Sequence, residues 1–212
     1  MKILAIDRST GSPDAALAVG GLVHRMDPAD GFRASAWPAL LRDFLAGFDV
    51  AFDDLDRIVV GTGPGSFAGI RAAIAFAFGL ELGIETMRPG GSGPVVYGMP
   101  SPAGMSRDDR VTAVVGDARR GLFWVAVYDG GEPASEIRLA KEEDLHAGVP
   151  ASAIVVTPDG SRIGDRLGAI FETRYLGGGA PSAERMAHIA LRRPEMLVPA
   201  PAPIYLSPAV RA

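Results

Sequence analysis

Between residues 57 and 82 the chain reads RIVVGTGPGSFAGIRAAIAFAFGLEL, and this stretch restricts the fold more than any other. Arg57–Val60 is a short β-branched run, the pattern of a buried strand. Gly61–Gly65 turns the chain. From Ser66 to Leu82 only Ser66, Arg71 and Glu81 are polar, which predicts a helix apolar on all sides. Such a helix has to be covered on all sides, so the stretch fits a layered α/β core with a second cover on the outer face. Within the turn, glycines allow positive φ and close backbone approach, and Pro64 stiffens it. Ser66 stands where an N-cap belongs, and a helix N-terminus attracts anions. Gly63, Pro64, Gly65, Ser66, Phe67, Gly69 and Arg71 therefore form a candidate loop and anion site. The alternative is a tight strand–helix turn whose glycines serve packing.

The flanking sequence extends the same pattern. Strands are expected at Lys2–Ile6, Ala15–Val19 and Leu22–Arg25, with RSTGSPD as a turn and Gly20-Gly21 as a hairpin. Trp37, Leu40, Leu41, Phe44, Leu45 and Phe48 recur at helical spacing over about Ala34–Phe48. A short strand is expected near Ile84–Met87. From Pro89 to Gly104 nine of 16 residues are Gly or Pro, which predicts an irregular boundary.

The order then repeats. Val111–Val115, Leu122–Tyr128 and Ser135–Leu139 read as strands, followed by helix Lys141–His146, strand Ala153–Thr157, helix Ser161–Ala169, strand Thr173–Leu176 and helix Ser182–Arg193. Each half opens on a strand that ends in an aspartate, Asp7 or Asp117. A duplicated unit of three meandering strands and two crossovers explains this, with lobes expected at 1–105 and 106–212. Five prolines in Pro194–Ala212 predict an extended tail.

Composition excludes several functions. Lys and Arg total 21 against 25 Asp and Glu in 212 residues, a net charge of −4. A protein that grips nucleic acid alone usually has a basic excess. Without cysteine there is no disulfide, thiolate metal site or thiol nucleophile. No apolar run reaches the roughly 18–20 residues of a membrane span, and the opening residues do not read as a signal peptide, so a cytoplasmic protein is expected. His24, His146 and His188 lie far apart, and neither H-E-x-x-H nor G-x-S-x-G occurs. The glycine loop carries no Walker lysine, and its glycines do not fall as G-x-G-x-x-G.

Residues 59–83, VVGTGPGSFAGIRAAIAFAFGLELG, resemble the signature of the TsaB (YeaZ) family. The opening MKILAIDRST, the segment GDARRG before a strand with Trp124 and Tyr128, and PIYL at 203–206 agree with it in order. Arg8 and Ala68 stand where the family has threonine.

The resemblance implies an α/β, two-lobed actin-like (ribonuclease H-like) fold with duplicated units and a reduced second lobe. It also implies a non-catalytic role in making threonylcarbamoyladenosine beside the anticodon of tRNA. The implied partners are a TsaD-like catalytic paralogue and a TsaE-like ATPase, with a homodimer when alone and tRNA only through the complex. The paired helices place the partner interface at Trp37, Leu41, Phe44, Ala73, Phe76, Ala77 and Leu80. Asp7, Ser9, Thr10, Asp117, Gly177, Gly178 and Gly179 mark a vestigial nucleotide site. No metal and no cofactor of its own are expected, with a weak ATP or ADP contact shared with the partner left open. The rival reading is a stand-alone actin-like ATPase or small-molecule kinase. Phosphate-binding hairpins of that fold need glycine two positions after the aspartate, and this chain has Ser9 and Arg119 there.

Overall fold

The computed structural model describes residues 1–27, 36–87 and 93–206. They form two compact α/β units.

Unit 1 comprises Met1–Pro100 and Ser182–Pro203. Its first strands are β1 (Ile3–Asp7), β2 (Asp14–Val19) and β3 (Leu22–Arg25), an antiparallel meander. The β2–β3 turn is Gly20-Gly21, with φ of 60° and 83°, the left-handed pair that a two-residue hairpin requires. Helix α1 (Trp37–Ala46) leads to β4 (Arg57–Gly61), and α2 (Phe67–Met87) leads to β5 (Val95–Met99). β4 lies parallel to both β1 and β5. Alternate residues of the sheet, Leu4, Ile6, Ala15, Leu17, Ile58, Val60 and Val96, pack on Trp37, Leu41, Leu45, Ile70, Ala73, Ile74 and Ala77 of the two helices.

Unit 2 comprises Ser101–Pro181 and the stretch from Ile204 onward. It repeats the plan. β6 (Thr112–Arg119), β7 (Leu122–Asp129) and β9 (Arg138–Lys141) form the meander, with β8 (Glu132–Pro133) as a short addition on β7. Then come α3 (Glu142–Gly148), β10 (Ile154–Thr157), α4 (Gly160–Phe171) and β11 (Tyr175–Gly178). β10 is parallel to β6 and β11. Its core joins Ala113, Val115, Phe123, Val125 and Val155 of the sheet to Leu145, Ile163, Leu167 and Phe171 of the helices. The duplication expected from strand order is thus present as topology: each α/β unit joins a three-stranded antiparallel meander to parallel strands and helices.

Four expectations are corrected. First, Ile84–Met87 is the last turn of α2 and not a strand. The fifth strand is Val95–Met99, inside the stretch read as irregular. Val95, Val96 and Tyr97 supply the β propensity there, and Gly98 lets Pro201 and Thr62 approach closely. Second, the chain crosses back. Helix α5 (Ala183–Arg192) and β12 (Val198–Pro199), which pairs with β5, belong to unit 1, so a second lobe spanning 106–212 does not describe the contacts. Among the described residues of the final segment, a short 3-10 turn at Pro194–Met196 precedes β12 and the rest carries no helix. Third, Phe67–Thr86 is long and apolar enough, by length and composition, to cross a membrane. Its inner side is committed to the core of unit 1, and Arg71, Glu81 and Glu85 interrupt it. Fourth, Asp14 opens β2 and is not part of the preceding turn. The expected start of the first helix at Ala34 lies outside the described residues.

Candidate functional site

The glycine loop and the turn after β1 are interlocked. A Cβ on Gly65 would overlap the Ser9 carbonyl, and one on Gly69 would overlap the Arg8 carbonyl. Both glycines are therefore required by backbone-to-backbone approach. Gly63 has φ of 87°, and a Cβ there would collide with Ile70. The Gly63–Pro64 peptide is cis. The Ser66 amide donates to the Ser9 carbonyl at 2.6 Å, tying the two segments together. Ser66 Oγ accepts the Gly69 amide at 3.2 Å, which is the N-cap expected of it. Phe67 is exposed, with Arg71 stacked over its ring at 4.9 Å.

Asp7 is buried at the end of β1. Its Oδ1 accepts the Ser9 amide at 2.9 Å and the Ser9 hydroxyl at 2.6 Å. This is a turn aspartate holding its own loop. Thr10 Oγ1 accepts the Ser12 amide and donates to the Ser12 carbonyl, closing the same loop. Arg8 lies over the Trp37 ring at 5.8 Å, and burial lowers its pKa.

Unit 2 repeats the device with charge. Asp117 Oδ1 accepts the Arg119 amide at 2.8 Å. The Asp117 amide donates to Asp159 Oδ2 at 2.8 Å, and Arg162 pairs with both carboxylates, its Nε 3.3 Å from Asp117. Arg120-Gly121 turn the hairpin in the left-handed region. In both units the amide two positions after the aspartate donates to that aspartate. A phosphate hairpin would present it to the ligand. Gly177, with φ of 103°, and Gly178 lie in β11; Gly178 packs on Gly160 at the start of α4, and Gly179 donates to the Thr157 carbonyl. Among the described residues no group of three or more acidic or histidine side chains is placed to hold a metal.

The expected partner face is rotated. Trp37, Leu41, Ala73 and Ala77 are buried in the core of unit 1. Phe44, Phe76 and Leu80 are half-buried against that core, Phe76 edge-on to Phe52 at 6.1 Å. The outward face of α2 is instead Phe67, Arg71, Ala75, Phe78 and Leu82, and Leu82 is 66% exposed. Ile70 and Ile74, placed by their spacing in one stripe with Phe78 and Leu82, point inward. Sequence reasoning also missed Arg162 and Asp159. Nothing in the spacing ties them to Asp117, because β10 and β6 become neighbours only in the folded sheet.

Comparison with known proteins follows this geometry. The family model for tRNA N6-adenosine threonylcarbamoyltransferase, TsaD, matches residues 34–87, the stretch that holds α1, β4 and α2. The tRNA threonylcarbamoyladenosine biosynthesis protein TsaB of Escherichia coli K12 is 32% identical over 137 residues, covering 62% of this chain and 57% of that protein. An uncharacterized protein of Mycobacterium tuberculosis H37Rv is 41% identical over 92 residues, covering 41% of this chain and 38% of its own length. The chain thus spans well under two thirds of these relatives. Among solved structures, a Pseudomonas aeruginosa protein described as similar to peptidase YeaZ superposes with a TM-score of 0.72 at 25% identity, over 97% of this chain and 99% of that one. YeaZ from the same organism gives 0.73 at 21% identity, over 96% and 100%.

Proposed function

We propose that this chain is a member of the TsaB (YeaZ) family and a non-catalytic scaffold subunit. In this reading it activates threonylcarbamoyl transfer to adenosine beside the anticodon of tRNA by binding a TsaD-like paralogue. The observation that carries the proposal is the outer face of α2. Its inner face is already in the core, yet Phe67, Phe78 and Leu82 remain exposed along one side. An exposed apolar stripe of this length marks an interface. The stretch that matches the transferase family model carries the same helix, which suits two related chains meeting through similar elements. A homodimer through that face forms when the partner is absent. A TsaE-like ATPase joins the complex, tRNA is reached through the complex, and the setting is the cytoplasm.

The rival reading, a stand-alone actin-like ATPase or small-molecule kinase, is disfavoured by the two hairpins. The Ser9 and Arg119 amides are directed to Asp7 and Asp117. The glycines of the first loop are occupied by the backbone of residues 8 and 9. Any ATP or ADP contact is shared with the partner.

Leu82→Asp and Phe78→Asp test the interface. Analytical ultracentrifugation with the TsaD-like protein is expected to show loss of the complex, with circular dichroism and melting unchanged. Phe76→Asp is expected to lower the melting temperature of the free protein, because Phe76 packs on Phe52. An intact complex in both Leu82→Asp and Phe78→Asp removes α2 from the interface. ATP turnover by the purified protein, lost in Asp7→Ala, favours the enzyme.

A further inference from the structure

One buried carboxylate is not absorbed by the proposed function. Asp14 is 4% exposed at the head of β2. It lies directly across the ladder from Asp7, also buried. Like charges opposite each other in a sheet repel, so this placement needs compensation. Each Asp14 oxygen has its own donor. Oδ1 accepts from Arg25 Nε on β3 at 3.0 Å. Oδ2 accepts from the Ala183 amide at 2.9 Å, across 169 positions of sequence. Ala183 is the first residue of α5, where the helix dipole favours an anion and the amide has no intrahelical partner. Ser182 caps the same end locally by accepting the Arg185 amide.

The surface beneath α5 is made mostly of alanines. Ile3, Ala5, Ala16 and Ala18 are buried but lie outside the α1/α2 cluster, so strand alternation turns them to the face that α5 covers. The helix meets them with Ala183, Met186, Ala187, Ile189 and Ala190. Ile3, Met186 and Ile189 supply the larger apolar contacts, while the alanines remove little area from water, so the polar fasteners add to the docking. At the other end the fastening is also short. Val198 and Pro199 pair with Gly98 and Tyr97.

We propose that Asp14 is a latch that holds the segment Ser182–Pro203 as a strap over the N-terminal sheet. Releasing this carboxylate frees α5 while the rest of unit 1 stays folded. Arg25 orients the carboxylate, and the Ala183 amide is what it grips.

Hydrogen exchange on the full chain tests this, read separately for α5, for β1, β4 and α2, and for α4. In Asp14→Ala, exchange at Met186–Ala190 is expected to accelerate about tenfold or more, as loss of a buried charged acceptor implies, with the other elements within about twofold of wild type. Asp14→Asn keeps the volume and an acceptor but removes the charge, and is expected to fall between the two. Ala183→Pro removes the donor where proline is compatible with a helix start, and is expected to match Asp14→Ala. Trypsin is then expected to cut after Arg185 and Arg192 sooner than in wild type. Should Asp14→Ala fail to fold, Asp14→Asn and Ala183→Pro decide. Unchanged protection of α5 in both overturns the latch. So does acceleration spread evenly over unit 1, which would make Asp14 a general support of the fold.

Discussion

At the end of β1 the chain turns through Asp7, Arg8 and Ser9; the end of β6 carries Asp117, Ala118 and Arg119, where the register with β7 shifts just before the turn at Arg120-Gly121. The two turns share an aspartate that accepts the amide two residues on. They differ in what braces them. The first is clamped by backbone, with Gly65 and Gly69 pressed on the Ser9 and Arg8 carbonyls. The second is braced by ion pairs among Asp117, Asp159, Arg119 and Arg162. Steric interlock is dry, unscreened and intolerant of one extra carbon. Ion pairs near the surface are screened and individually weak. The same topology therefore predicts a brittle turn in unit 1 and a tolerant one in unit 2.

The largest expected effect follows from the clamp. Gly65→Ala or Gly69→Ala has to push apart two backbone segments, at a cost on the order of 3 kcal/mol. Urea denaturation reads it as a lower midpoint, and hydrogen exchange should report the loss at β1 and β4 before β6 and β10. A wild-type midpoint would erase the contrast between the turns. Next comes Asp7→Ala, which leaves the Ser9 amide and hydroxyl without their buried acceptor and is expected to cost about 2 kcal/mol. Arg162→Ala should cost less, about 0.5–1 kcal/mol, since its side chain is 41% exposed. A loss in Arg162→Ala as great as in Asp7→Ala would mean that unit 2 relies on its charges as fully as unit 1 on its glycines. Smallest is the effect of salt. About 1 M NaCl should weaken the unit 2 network by a few tenths of a kcal/mol and leave the clamp untouched. Exchange rates at Asp117–Arg119 against Asp7–Ser9 measure that difference.

Much of the frame was legible. The strands Leu22–Arg25 and Leu122–Asp129, the Gly20-Gly21 hairpin, helix α4 and the Ser66 cap follow from local periodicity and turn chemistry. Misplacement of the fifth strand had a local cause. Val95, Val96, Tyr97 and Met99, four apolar residues around Gly98, are outweighed by the surrounding glycines and prolines, whereas what makes them a strand is β4 on one side and β12 on the other. The return of α5 to unit 1 had no local signal, because Asp14 reads as an ordinary turn residue until Ala183 is placed beside it.

Sequence alone determined that α2 exists, where it begins, and that it is apolar around most of its circumference. Its aspartate-ended strands and repeated element order likewise determined a duplicated α/β plan. Tertiary structure alone decided which side of α2 faces inward. Apolar side chains around the whole circumference define no preferred direction, so the helix carries no local instruction about its rotation. Contact with the sheet selected Ile70, Ala73, Ile74 and Ala77 for the core and left Phe78 and Leu82 outside.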